Sequence, residues 1–156
     1  MKRNKTEEMV NEAYQSFLDA GYAEEVPIHE QNPKDGRKVY HLQTHPVFRL
    51  DHETRKCRIV MNAGAKDKNG ISLNDLLHQG PCLLPDLLKC LLRFRFQKFV
   101  LILDIAKMFL RIKLYDDQDC LRYVWRNCNE EDTIKVWRML CVTFGIVSSP
   151  FQAILL

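Results

Sequence analysis

VLILDIAKMFLRIKL, residues 100–114, is the stretch whose reading decides the fold. Phe99 to Leu103 are five apolar residues without a break, and they run straight into Asp104. An uninterrupted apolar run of that length reads as a β-strand buried on both faces. After the short step IAKM the chain returns to an apolar and basic alternation: Phe109, Leu110, Arg111, Ile112, Lys113, Leu114. A carboxylate at the end of a buried strand is costly unless something pairs with it. Two readings of Asp104 are open. It caps a following turn or short helix, since Asp is a favoured N-cap, or it holds a cation. Taken alone, the stretch favours the cap.

Composition bounds the rest. The chain has 156 residues, enough for one domain with a real core. With 46% hydrophobic and 28% charged residues it has globular composition, which excludes a disordered or low-complexity chain. A net charge of +3 does not by itself imply a polyanionic partner. Two basic clusters, Arg49 to Lys68 and Arg93 to Lys98, read first as solvated faces and second as a phosphate track. Six cysteines show no CxxC pair and no zinc-like spacing with histidine. Most lie inside apolar runs, so buried free thiols in a reducing compartment are expected. No signal peptide is visible and no apolar run approaches a membrane span, which together read as an intracellular, soluble chain.

Along the chain, Met9, Ala13 and Phe17 recur every four residues and predict a helix over 5–20 that stops at Gly21. Pro27, Pro33 and Asp35-Gly36 mark a loop over 26–38. Strands are predicted at 39–42, 47–50 and 57–62, forming a hairpin with basic residues near its tip. Ser72 is placed to cap a short helix through Leu77, and a longer helix runs from Asp86 to Arg95. Beyond the central stretch, 121–125 and 135–142 predict an antiparallel pair joined by a polar loop. TFGIVSSPF then opens a final helix. Strands and helices mix without βαβ regularity, so the class is α+β.

Three segments in order resemble the reverse transcriptases of LTR retroelements, the BEL/Pao group in particular. They are HPVF (45–48) with RKCRIVMNAGAK (55–66) and SLNDLL (72–77); LLRFR (91–95) with LDIAKMFLRI (103–112); and YVWR (123–126) with VTFGIVSSPFQAI (142–154). The resemblance implies a right-hand DNA/RNA polymerase fold, of which 40–156 would be fingers and the front of the palm. Residues 1–39 would be an N-terminal helix and linker. It implies an RNA-directed DNA polymerase, a nucleotidyltransferase using two Mg2+ or Mn2+ ions held by carboxylates. Its partners would be an RNA or DNA template–primer and deoxynucleoside triphosphates, with no membrane. Its setting would be the cytoplasm, a retroelement particle or the nucleus.

Residue by residue, the resemblance shifts Asp104 to catalytic metal ligand, with the Ile105 carbonyl as its companion contact. Arg58 matches an arginine that clamps the incoming triphosphate, and Lys56 is a second candidate for that task. Phe109 takes the place of an aromatic gate against the ribose 2′-hydroxyl. Phe144 and Gly145 lie in the nucleotide-contacting turn, where Gly145 permits close backbone approach. Pro150 and Gln152 fall in the template–primer segment, and Ser148 and Ser149 are placed to cap its helix.

Three departures stand out. Met61-Asn62 replaces an acidic and aromatic pair, and Ala106 replaces a glutamate. The second catalytic signature, an aromatic followed by x-D-D, is absent. Tyr115-Asp116-Asp117 lacks the intervening residue, and Asp116, Asp117 and Asp119 are read as a solvated turn. The expectation is therefore a fragment cut before the second motif, inactive by itself. The alternative is a catalytically inactive remnant that acts as a nucleic-acid- or partner-binding module.

Overall fold

A computed structural model describes residues 2–48, 57–128 and 131–155. The fold is α+β, built on two small antiparallel sheets. Helix α1 (Lys2–Asp19) leads into strand β1 (Ala23–Glu25) and a short helix α2 (Ile28–Gln31). Strands β2 (Gln43–Phe48) and β3 (Cys57–Asn62) form one sheet. Helices α3 (Leu73–Leu76) and α4 (Leu87–Phe96) follow, then 3-10 turns at Met108–Arg111 and Gln118–Leu121. Strands β4 (Arg122–Trp125) and β5 (Lys135–Met139) form a hairpin, and α5 (Ser149–Leu155) comes last. The second sheet has the order β1-β5-β4.

The local signals explain most of these elements. Helix α1 ends where Tyr22 N–H donates to Phe17 O at 2.8 Å and Gly21 N–H to Leu18 O at 2.9 Å, the paired bonds of a Schellman stop. Its apolar face sends Tyr14 into the core, where the ring stacks on Trp125 at 4.8 Å and Tyr123 at 5.8 Å. The Tyr14 hydroxyl meets Thr44 Oγ1 at 2.6 Å. Ser72 caps α3 as expected, and Asp75 completes a reciprocal capping box. Asp86 caps α4 by accepting from Lys89 N–H at 3.0 Å. Around Tyr14 the core gathers Ile59 and Met61 of β3, Leu73, Leu110, Tyr123, Met139 and Ile146. Residues 23–25, within the segment read as a linker, pair with β5.

Three expectations are corrected. The run 99–103 forms no strand: Leu101 and Leu103 are each 88% exposed, and nothing among the described residues pairs with them. Apolar periodicity reports what side chains require but does not supply a neighbouring ladder, and both sheets are completed by other strands. The alternation 109–114, which carried no assignment, begins as a 3-10 turn, and Lys113 bridges to Cys141. The first hairpin strand starts at Gln43, so 39–42 contributes only an isolated bridge from His41 to Arg122. Of the six free cysteines, Cys141 alone is buried, while Cys82, Cys90 and Cys128 are exposed.

The aspartate turn also departs from its reading. Asp116 and Asp117 are exposed, but Asp119 is buried. Its carboxylate accepts from Arg122 Nη2 at 2.8 Å, Arg138 Nη1 at 3.2 Å and Arg37 Nη1 at 3.3 Å. Arg122 is fully buried and gives its remaining donors to the carbonyls of Glu30 and Gln31, both at 2.9 Å. A charge with that many partners can be taken out of water. The sequence could not show them, because Arg37 and Arg138 reach Asp119 from other elements.

Candidate nucleotide-binding cavity

A cavity of about 830 Å3 opens where α1, β3, the Met108–Arg111 turn and the 143–144 segment meet. That is the size of a pocket for a drug-sized ligand, roughly 300–1,000 Å3. Four of the predicted site residues line it: Arg58, Ile105, Phe109 and Phe144. They come together for local reasons. In β3, Cys57, Ile59 and Met61 turn toward the core, so the alternation leaves Arg58 on the exposed side. Leu110 anchors its 3-10 turn in the core, and Phe109 meets Phe144 edge-to-face at 4.8 Å. Lys107, directly before that turn, has φ +57. A left-handed lysine costs about 1–2 kcal/mol relative to ordinary helical backbone. The strained residue lines the same cavity.

The turn after Phe144 is fixed by two contacts. Gly145 has φ +90, and a Cβ there would lie 2.0 Å from Met61 O. The close approach at this glycine is made to the backbone of β3. Asn74 clamps the same turn from α3: its Nδ2 donates to Gly145 O at 3.0 Å and its Oδ1 accepts from Val147 N–H at 2.9 Å. Ser149 Oγ donates to Thr143 O at 2.7 Å, so this serine ties the turn back on itself. Ser148 O accepts the Gln152 N–H at 3.1 Å.

The lining is chemically mixed. Arg58 and Lys107 bring cations, Glu12 brings one carboxylate from α1, and Phe109 with Phe144 brings aromatic edge and face. Thr143 also lines the cavity, and its Oγ1 is buried without a hydrogen-bond partner among the described residues. Burial pushes the Cys57 thiol up, assisted by the charge of Cys128. Cys57 is therefore a poor nucleophile at neutral pH. Such a lining suits an anionic, partly aromatic ligand. Charge-assisted hydrogen bonds to its anion contribute about 1.5–3 kcal/mol each, and stacking on a ring about 1–3 kcal/mol.

The other predicted residues fall outside this group. Asp104 is exposed and is not part of the lining, although its neighbour Ile105 is. Among the described residues no three His, Cys, Asp or Glu side chains are grouped to hold a metal ion. Asp104 by itself does not fit a two-ion centre. Pro150 is exposed and Gln152 half-buried at the start of α5, away from the lining. Lys56 and the basic hairpin tip lie outside the described residues.

Sequence reasoning missed Lys107, Thr143, Asn74 and the α1 wall of Glu12 and Ser16. Asn74 was within reach, since it sits inside the SLNDLL segment whose cap was legible. The α1 residues carry no local signal, because only tertiary packing brings that helix against β3. No helix among the described residues is long and apolar enough to cross a membrane. No protein-family model matches the chain, and no curated protein matches it significantly.

Proposed function

We propose that the chain is the nucleotide-engaging part of an RNA-directed DNA polymerase of the BEL/Pao reverse-transcriptase kind, with fingers and front-palm architecture. The observation that carries this reading is the convergence of Arg58, Phe109 and Phe144 on one cavity, from sequence segments about fifty and thirty-five residues apart. In this reading Arg58 binds the triphosphate of a deoxynucleotide, where a planar multi-donor cation suits phosphate oxygens. Phe109 packs against the sugar and excludes a 2′-hydroxyl. Phe144 and the Gly145 turn orient the base, while Pro150 and Gln152 belong to a template–primer surface. Asp104 and the Ile105 carbonyl supply part of the ligand set for Mg2+ or Mn2+. Nucleotidyl transfer needs further carboxylates beyond Asp104.

That shortage favours a second reading, a non-catalytic module that binds nucleic acid through its lysines and arginines.

Titration of the full chain with a fluorescent deoxynucleoside triphosphate in Mg2+ tests the first reading. Saturable binding is expected, weakened about tenfold or more by Arg58→Ala, a loss of at least about 1.4 kcal/mol. Arg58→Lys should fall between, keeping the charge but losing the fork. Absence of saturable binding, or indifference to Arg58→Ala, contradicts it. Salt-sensitive duplex binding without nucleotide binding would instead support the second reading.

A further inference from the structure

Among the described residues, Lys107 and Cys128 alone combine a side chain with a positive φ, and of the two only Lys107 lines the cavity. Lysine has no local reason to be left-handed. It lacks the short polar side chain that lets asparagine or aspartate take that backbone. Such a residue persists only where its surroundings over-determine it. Leu110, three residues on, is buried in the core, and Ile112 N–H donates to Phe109 O at 3.1 Å. Arg111 Nε donates to Ala106 O at 3.4 Å, a bond that spans Lys107 and closes the turn around it.

The side chain is held as well, but not by an anion. Lys107 Nζ stands over the Tyr22 ring, 5.2 Å from its centroid. Tyr22 is itself fixed: its N–H donates to Phe17 O of α1 and its C=O accepts from Leu140 N–H, both at 2.8 Å. An aromatic face attracts an ammonium without neutralising it. Among the described residues no ion pair joins Lys107 to a carboxylate, Glu12 of the cavity lining included.

The cavity thus presents two cations of different kinds. Arg58 offers a rigid planar fork, whereas Lys107 is a point charge on a flexible four-carbon stem. That stem lets Nζ leave the ring for a phosphate oxygen while the backbone stays in place. A single phosphate can be met by the fork alone. A longer phosphate chain carries charge that one arginine does not offset.

We propose that Lys107 is a phosphate-binding residue of the cavity, sharing a polyphosphate with Arg58 and making the site selective for nucleotides with more than one phosphate. This rests on the nucleotide reading above and adds a residue and a selectivity to it.

Equilibrium dialysis of the full chain with radiolabelled dAMP and dATP, each with Mg2+, tests it. The wild type should bind dATP at least about tenfold more tightly than dAMP. Lys107→Asn removes the ammonium and keeps a residue suited to left-handed backbone, so circular dichroism should be unchanged. It should weaken dATP about tenfold and dAMP less than about twofold. Lys107→Gly, which takes the same φ freely, should match it. Lys107→Arg, which keeps a cation, should retain most of the dATP affinity. If the wild type binds neither nucleotide, the nucleotide reading falls and this inference with it. If the wild type binds dATP, but Lys107→Asn and Lys107→Gly bind it as tightly or lose dAMP and dATP in equal proportion, this inference alone is overturned.

Discussion

Gly145 is where the fold and the candidate site depend on one missing carbon. Its φ of +90 is disfavoured for any side chain, and its Cα faces the Met61 carbonyl so closely that an added Cβ would sit 2.0 Å from the oxygen. Gly36 is a natural control: its φ is +80, but nothing lies within 4 Å of an added Cβ. Gly36→Ala should therefore cost only the backbone strain, about 1 kcal/mol. Gly145→Ala should cost roughly 3 kcal/mol or more, because strain and a backbone clash add. Urea denaturation of the two variants measures the difference, and equal losses would contradict the close approach. Phe144 precedes this glycine directly, so the alanine variant should also disturb its edge-to-face contact with Phe109. The sequence marked Gly145 through its motif, yet the partner that makes the glycine necessary is eighty-four residues away in β3.

Among the elements, the Asp119 network ties α2, β5 and the turn before β4 into one unit. Arg138 adds Glu24 of β1 at 2.7 Å and Glu30 of α2 at 2.7 Å. Burial pushes the Asp119 carboxyl up, but hydrogen bonds and charge from Arg122 and Arg138 outweigh it and hold it below the usual carboxylate range. A group whose folded pKa is depressed contributes stability above its unfolded pKa, near 3.9 for aspartate, and loses it as pH falls through the folded value. Stability should therefore be level above about pH 5 and fall as the pH drops below about 4. Asp119→Asn should flatten this acid limb and cost about 3–5 kcal/mol at neutral pH, because it leaves the buried Arg122 without its carboxylate. Urea unfolding at a series of pH values reads both effects. An unchanged acid limb in the variant would mean that another carboxylate controls it. The helices were legible because periodicity and capping are local: Met9, Ala13 and Phe17 place α1, and Asp86 places α4. The apolar run at 99–103 was misread as a buried strand because burial needs a partner, and no periodicity announces one. Asp119 was misread because two of its three arginines lie far off in sequence.

At the scale of the whole molecule, the cavity joins parts with unequal visibility in the sequence. Arg58, Phe109 and Phe144 were legible through resemblance, and their meeting around one space is a property of the folded chain. The α1 wall and the unpartnered Thr143 hydroxyl were not legible, since both arise from packing between distant segments. Photo-crosslinking asks most directly whether this cavity receives a deoxynucleotide, as proposed. The full chain is irradiated with an azido-dATP, with and without excess unmodified dATP, and the labelled peptides are mapped. Labelling that the competitor removes, concentrated in residues 105–110 and 143–146, is the predicted result. Labelling confined to other surfaces, or none that unmodified dATP displaces, would contradict it.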